Sequence, residues 1–181
     1  MKLLRKPLEP RTIATARWVA AGVGVFLLVA LQVGGFGQLR LFGVYPEMLV
    51  VVVCSAALHR GPVVGGLFGF VLGFAKDLPG GHLVGLSGIG YAAAGALAGV
   101  LGARVFPDRW PVIAAAVAVG TAASQIVYAA GASAFGFSLP FWEIGPGVVG
   151  GLLAYHLLLT PFLYPLTRWL TELLLPGGLD T

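Results

Sequence analysis

The chain has 181 residues, of which 58% are hydrophobic and only 10% are charged, and its mean hydropathy is +0.94. This composition excludes a soluble globular domain, whose surface needs more charge, and indicates a protein of the lipid bilayer. A spanning helix needs about 20 residues, so the length predicts roughly six helices in one transmembrane domain over residues 1–176, with a short tail at 177–181. The net charge of +4 forms no basic cluster beyond the N-terminal arm, which excludes a nucleic-acid interface.

Six apolar runs, separated by Gly, Pro and charged residues, are predicted to span the membrane. They cover residues 18–36, 46–58, 62–75, 85–103, 111–135 and 144–164. The first run follows a basic arm but is longer than the ~7–15 residues of a signal-peptide core, so we interpret it as a helix that stays in the protein. The second and third runs are shorter than the ~17 residues of a typical span. We expect them to borrow flanking residues, to cross where the bilayer is thin, or to shelter inside the bundle.

The distribution of Lys and Arg predicts the orientation of the helices. If the N-terminus is inside, nine of the eleven basic residues fall in cytoplasmic segments, and only Arg40 and Lys76 fall outside. Because positive residues resist translocation, this asymmetry places both termini in the cytoplasm. Trp18, Trp110 and Trp169 fall at the predicted inner boundary, where indole rings prefer to lie.

A further helix is predicted over residues 165–175, after the last span. Pro165 can start a helix in which Leu170 and Leu174 share an apolar face, while Arg168 and Glu172 form an i, i+4 pair on the polar face. We expect this amphipathic helix to lie flat on the cytoplasmic surface. It either anchors the chain to lipid or contacts a cytoplasmic partner.

Three glycines recur at every fourth position of the third run and therefore share one helix face. They are Gly65, Gly69 and Gly73. Small residues let helices approach closely in lipid, so this face either packs inside the chain or receives a partner helix. Asp77 follows at the C-terminal end of the helix, where a negative charge is disfavoured. It either caps the next segment, pairs with Lys76 or His82, or has a functional role.

Two polar residues fall near the middle of predicted spans. Gln125 lies in the fifth span and His156 in the sixth. Consecutive helices usually pack together, and polar side chains inside a bundle hydrogen-bond across helices. We therefore predict that Gln125 and His156 form a hydrogen bond with each other. A ligand pocket is the alternative interpretation.

We expect no catalytic, metal or cofactor site. Ser87 at the start of the fourth span and His156 in the sixth are similar to the arrangement of rhomboid proteases. A helical rise of 1.5 Å per residue separates them in depth by roughly 15 Å, however, and the chain has no Asn to stabilise an oxyanion. Cys54 is the single cysteine and the three His are scattered, so the sequence contains no metal-binding motif.

The region 46–99 resembles the family of rod shape-determining protein MreD, a membrane component of the bacterial cell-elongation machinery. The matching features are Pro46-Glu47 opening an apolar helix, the glycine series leading into Asp77-Leu78, and Gly85-Leu86-Ser87 entering the next span. The resemblance implies a non-catalytic scaffold of the bacterial inner membrane that helps to organise peptidoglycan synthesis. It implies direct contact with MreC, and through MreC with penicillin-binding protein 2, RodA and MreB filaments. It also implies a bundle similar in fold to the S component of energy-coupling factor transporters.

These implications define a candidate partner interface. We expect the glycine face, with Asp77 at its outer end, to accept the transmembrane helix of MreC, and the helix after Pro165 to make a cytoplasmic contact. The interface comprises Gly65, Gly69, Gly73, Asp77, Gly85, Leu170 and Leu174.

The alternative function is that of an S component proper, which binds a small solute such as a vitamin. Ala16, Ala20 and Gly24 form a small-residue stripe on the first helix, similar to the contact that S components offer their transport partner. A shortage of polar residues that could line a pocket argues against this alternative.

Overall fold

The computed structural model describes residues 10–35, 45–80, 83–105, 108–137 and 146–174. Within these ranges the chain forms five helices, which are α1 (Pro10–Gly34), α2 (Met48–Gly80), α3 (Leu86–Arg104), α4 (Trp110–Ala134) and α5 (Pro146–Leu174). The basic arm before Pro10, the residues Arg40 and His82, and the tail 177–181 lie outside the described residues.

Four segments of the described chain are long and apolar enough to cross a membrane. They are Met48–Pro79, Leu86–Arg104, Trp110–Ala134 and Gly147–Glu172. The apolar part of α1, Trp18–Gly34, is shorter. The prediction of an all-helical membrane protein is confirmed. The structure differs from the six predicted runs at three places. Helix α1 begins earlier, at Pro10, and α5 ends later, at Leu174. Helix α2 contains both 46–58 and 62–75 in nearly their full length.

Helix α2 changes direction at Gly61. This residue has a φ of 81° and a ψ of 176°, a conformation outside the helical region that residues with a Cβ rarely adopt. Gly61 therefore divides α2 into a first arm (48–60) and a second arm (62–80). Pro62 opens the second arm, at a helix position where its missing N–H costs little.

The two arms of α2 run antiparallel and form a helical hairpin. Glu47, just before the first arm, forms an ion pair with Lys76, which is 29 residues away and near the end of the second arm. A straight helix would hold residues with this separation about 43 Å apart, so the ion pair requires the arms to fold back. The molecule thus has a Gly61 end, where the hairpin bends, and an Asp77 end, where the ion pair lies.

The second arm of α2 packs against α3 along its glycine face. A Cβ atom on Gly69 would overlap with the backbone of Tyr91, and one on Gly73 would overlap with the backbone of Ser87. The whole face is buried at Gly65, Gly69 and Gly73. The expectation that this face is open to a partner helix is therefore wrong. Helix α3 of the same chain occupies it, because only glycine lets the two backbones approach so closely.

The first arm of α2 lies at the centre of the bundle. Every residue from Met48 to Leu58 is buried, and α2 contacts each of the other four helices. In the most apolar stretch of each helix, 67% is buried inside the bundle for α2 but only 22% for α5. A helix that is apolar on all sides is typical of this central position, since no face of it meets water.

Helix α5 continues past the predicted end of the last span. The separate helix predicted from Pro165 is absent from the described chain, because α5 runs through Pro161 and Pro165 to Leu174. Its last turns stay on the bundle through Tyr164, whose hydroxyl donates to Asp108, and through the Thr171 carbonyl, which accepts from Arg60. These contacts hold the segment against the bundle as a continuation of α5.

The apolar side chains of this last segment differ in their exposure. Leu166 and Trp169 are exposed, Leu170 is half-buried, and the side chain of Leu174 lies outside what the structure describes. The predicted i, i+4 pair is present, with Arg168 Nε donating to Glu172 Oε1 at 3.0 Å.

Candidate functional site

The start of α2 lies inside the bundle and is capped by side chains from two other helices. Gln32 of α1 accepts a hydrogen bond from the Met48 N–H at 3.0 Å and donates to the Pro46 carbonyl at 2.8 Å. His156 of α5 accepts from the Glu47 N–H through Nε2 at 3.2 Å. The first N–H groups of a helix have no partner within that helix, and in a membrane interior they need one from elsewhere. Gln32 and His156 supply it, and both side chains are buried.

These bonds define the protonation state of His156. Because Nε2 accepts the Glu47 N–H, the proton of the neutral ring resides on Nδ1. Nδ1 then donates to the hydroxyl of Thr121 in α4, 2.7 Å away. Both ring nitrogens are thus used to hold the start of α2 against α4 and α5.

An ion pair between Glu47 and Lys76 lies next to this capped helix start. The carboxylate of Glu47 contacts Lys76 through Oε1, and Lys76 Nζ also donates to the Tyr91 hydroxyl at 3.0 Å. Gln125 Nε2 approaches Glu47 Oε2 at 3.4 Å. The Lys76 and Glu47 side chains are only 22% and 20% exposed. A charge at such a site is costly unless it is paired, so each member of the pair depends on the other.

Gln125 and His156 come together at this site, but not as predicted. The expected direct hydrogen bond between them is wrong, because His156 uses its nitrogens for Thr121 and the Glu47 backbone, while Gln125 contacts the Glu47 side chain. Glu47 is therefore the residue that connects the two.

Asp77 caps the next helix, which is the first of the alternatives that the sequence leaves open. Its Oδ2 accepts hydrogen bonds from the backbone N–H groups of Gly85 at 2.9 Å and Ser87 at 3.0 Å. Gly85 has a φ of 95°, which lets the chain turn sharply into α3. The carboxylate sits at the N-terminus of α3, where the helix dipole favours a negative charge.

A partly open cavity of about 320 Å³ lies between the second arm of α2, α3 and α4 at the Asp77 end. Most of its wall surface is apolar, but eight of the ten lining residues carry a polar group, and together they contribute the ion pair, hydroxyl groups and an amide. It is lined by Glu47, Lys76, Asp77, Leu83, Ser87, Gly90, Tyr91, Ser124, Gln125 and Tyr128. The expectation that the chain lacks polar residues for a pocket is therefore wrong. These residues come from segments that are far apart in sequence, and each of those segments is predominantly apolar.

A second polar cluster joins α2, α4 and α5 at the Gly61 end. Arg60 donates to the Thr171 carbonyl at 2.6 Å, and Asp108 accepts from Tyr164 at 3.1 Å and from Arg168 at 2.6 Å. The Arg168 and Asp108 side chains are 44% and 59% exposed, so this pair contributes less than about 1 kcal/mol. We interpret the cluster as a tie between helix ends.

The side chains of this site can form hydrogen bonds and ion pairs. Ser87 lines the cavity, but both nitrogens of the buried His156 are already engaged, so His156 does not act as a base for Ser87 in this arrangement. Among the described residues, no group of three or more His, Cys, Asp and Glu side chains could hold a metal ion.

The fold and site define a multi-pass helical membrane protein whose polar cavity opens at one end of a tightly packed hairpin. Comparison with protein-family models matches residues 13–141, more than two thirds of the chain, to rod shape-determining protein MreD. The chain therefore belongs to the MreD family, and its role lies in rod shape determination. Comparisons with curated proteins and with solved structures found no match.

Sequence reasoning missed the pairing of Glu47 with Lys76, which organises this site. The signal that could have found it is the Arg60-Gly61-Pro62 break between two apolar runs. The outer end of the first run carries the negative Glu47, and the outer end of the second is followed by the positive Lys76. If the runs form a hairpin, these charges meet. Gln32 and Tyr91 carried no comparable signal, because their partners depend on how the other helices pack.

Proposed function

We propose that this chain is a non-catalytic membrane scaffold of the cell-elongation complex, which binds MreC and thereby helps to organise peptidoglycan synthesis. Penicillin-binding protein 2, RodA and MreB take part through MreC. The observation that carries this proposal is the family match over residues 13–141. The close packing of α3 on the second arm of α2 supports it, because a scaffold needs a rigid bundle.

We further propose six spans with both termini in the cytoplasm, counting the two arms of α2 separately. The first arm has 13 residues and is about 20 Å long, shorter than the ~30 Å hydrocarbon core. Capping by Gln32 and His156 supports its assignment as a span, since it allows the arm to start inside the bundle. With the Gly61 end in the cytoplasm, four basic residues near that end follow the positive-inside rule. They are Arg60, Arg104, Arg109 and Arg168.

We place the MreC contact at the cavity instead of at the glycine face. Helix α3 already covers that face, whereas the cavity is partly open and is lined by Asp77, which accepts a hydrogen bond from the N–H of Gly85. Its donors and acceptors come from three elements, so a segment seated there can be recognised by several hydrogen bonds at once.

A cytoplasmic contact through Leu170 and Leu174 is a separate proposal. Leu170 is half-buried at the Gly61 end, next to the exposed ring of Trp169. We expect Leu170→Glu combined with Leu174→Glu to disturb rod shape while the protein still reaches the membrane. Normal rod shape with normal amounts of protein would contradict this contact.

The cavity also supports a second candidate function, the solute-binding S component of an energy-coupling factor transporter. A volume of about 320 Å³ lies at the lower limit of ligand pockets, which range from roughly 300 to 1,000 Å³. The two functions differ in their stable partner, since an S component associates with a coupling transmembrane subunit. A solute that survives purification would favour this second function.

Affinity purification of the full chain from native membranes tests the main proposal. We expect MreC among the recovered proteins, and its recovery should fall several-fold in Leu83→Trp, which places a large ring at the cavity margin. Leu97→Trp is the matched control, because Leu97 is 43% exposed and is not part of the cavity wall. Purification of the folded wild type without MreC would contradict the proposal.

A further inference from the structure

The cavity is a small recess between packed helices. Its volume of about 320 Å³ lies at the lower end of the range of ligand pockets, roughly 300 to 1,000 Å³. This size suits a long side chain or a few residues of extended chain, carried by a partner segment that lies across the opening.

The charge of the cavity wall favours a cation. Glu47 and Asp77 contribute two carboxylates and Lys76 one ammonium group, which leaves one net negative charge. Lys76 is already paired with Glu47, while Asp77 uses Oδ2 to cap α3. An incoming cation would therefore face the carboxylate of Asp77 without having to break the ion pair.

The aromatic rings of the wall favour the same kind of ligand. Lys76 Nζ lies 5.2 Å from the centroid of the Tyr91 ring and also donates to its hydroxyl, so this part of the wall already accommodates one cation. Tyr128 brings a second ring, and Ser87 and Ser124 bring hydroxyl groups that can accept N–H donors. A guanidinium group, which is planar and carries five N–H donors, matches such a wall better than a neutral amide does.

From this size, charge and wall chemistry we propose that the cavity binds a single cationic side chain, arginine or lysine, presented by the partner that docks at the Asp77 end. The inference rests on the proposed function, in which that partner is MreC. The cation lies beside Asp77 and the tyrosine rings, while the backbone that carries it stays outside the cavity.

Asp77→Asn is the sharpest variant, because Asn caps a helix about as well as Asp and so preserves the bonds to Gly85 and Ser87. We expect it to weaken MreC binding by the full chain about ten-fold and to reduce the salt dependence of that binding. Asp108→Asn, at the opposite end of the molecule, is the matched control and should leave both unchanged. Unchanged or tighter binding in Asp77→Asn would overturn the proposal.

A small probe separates failure of this inference from failure of the proposed function. N-acetylarginine amide should raise the melting temperature of the detergent-solubilised chain, and its uncharged analogue N-acetylcitrulline amide should not. The shift should disappear in Asp77→Asn. Equal effects of the two probes would overturn the cation site even if MreC binds. If MreC does not bind while the arginine probe acts as expected, the proposed function fails and the cation site remains.

Discussion

Replacing Lys76 with Met leaves the Glu47 carboxylate without its ion-pair partner and is the most informative perturbation of the site. Breaking a fully buried ion pair costs about 3–5 kcal/mol. Two features lower this value here, since the Glu47 side chain is 20% exposed and Gln125 Nε2 remains 3.4 Å from its other oxygen. Loss of the bond to Tyr91 adds about 0.6 kcal/mol. We expect Lys76→Met to lower the free energy of unfolding by roughly 2–4 kcal/mol.

A double-mutant cycle with Glu47→Gln tests this reasoning. Unfolding would be followed in mixed micelles by helicity and by tryptophan fluorescence for the wild type, both single variants and the double variant. The double variant should be more stable than Lys76→Met alone, because it contains no unpaired charge. Glu172→Gln in the exposed pair with Arg168 is the control, with an expected cost below about 1 kcal/mol. Additive effects of the two site variants, or a cost of Lys76→Met as small as that of the control, would refute the reasoning.

Two further predictions concern the packing that holds the site. Gly69→Leu should prevent stable folding, because the new side chain would overlap with the backbone of Tyr91. Gly22→Leu is the control and should be tolerated, since nothing lies within 4 Å of a Cβ atom at that position. Equal yields of monodisperse protein for both variants would contradict the packing described. His156→Leu removes the acceptor for the Glu47 N–H and should cost about 1–3 kcal/mol of stability. His156→Gln, which retains an acceptor, should recover part of that loss, and identical melting temperatures for the two variants would argue against the capping role.

Hydropathy and helix-breaking residues predict much of the fold. Each predicted run overlaps with a helix of the described chain, and the break at Arg60-Gly61-Pro62 falls where α2 reverses. The end of the last helix could not be predicted in the same way. Pro165 can start a helix or lie inside one, and the contacts of Tyr164 with Asp108 and of Arg60 with the Thr171 carbonyl favour the second outcome.

The candidate site was less predictable, because it depends on which helices meet. The repeat of glycine at every fourth position predicts a close helix contact. The same repeat would occur whether the neighbouring helix is α3 or belongs to another protein. Lys76 follows a short apolar run, so the sequence predicts it in an outside loop, whereas in the structure the hairpin brings it to Glu47. His156 does bond to the adjacent helix, but to Thr121 instead of Gln125, and its other partner, the Glu47 N–H just before α2, is 109 residues away.

We propose that this chain acts in rod shape determination as a scaffold that binds its partner at the cavity. The most direct measurement is the width and length of bacterial cells in which the native copy of this protein has been depleted. These cells would express the wild type, Leu83→Trp or Leu97→Trp at equal amounts in the membrane. We expect wild type and Leu97→Trp to restore rods, and cells with Leu83→Trp to remain wide or round. Rods restored equally by all three variants would contradict the role of the cavity, and round cells with the wild type would contradict the function itself.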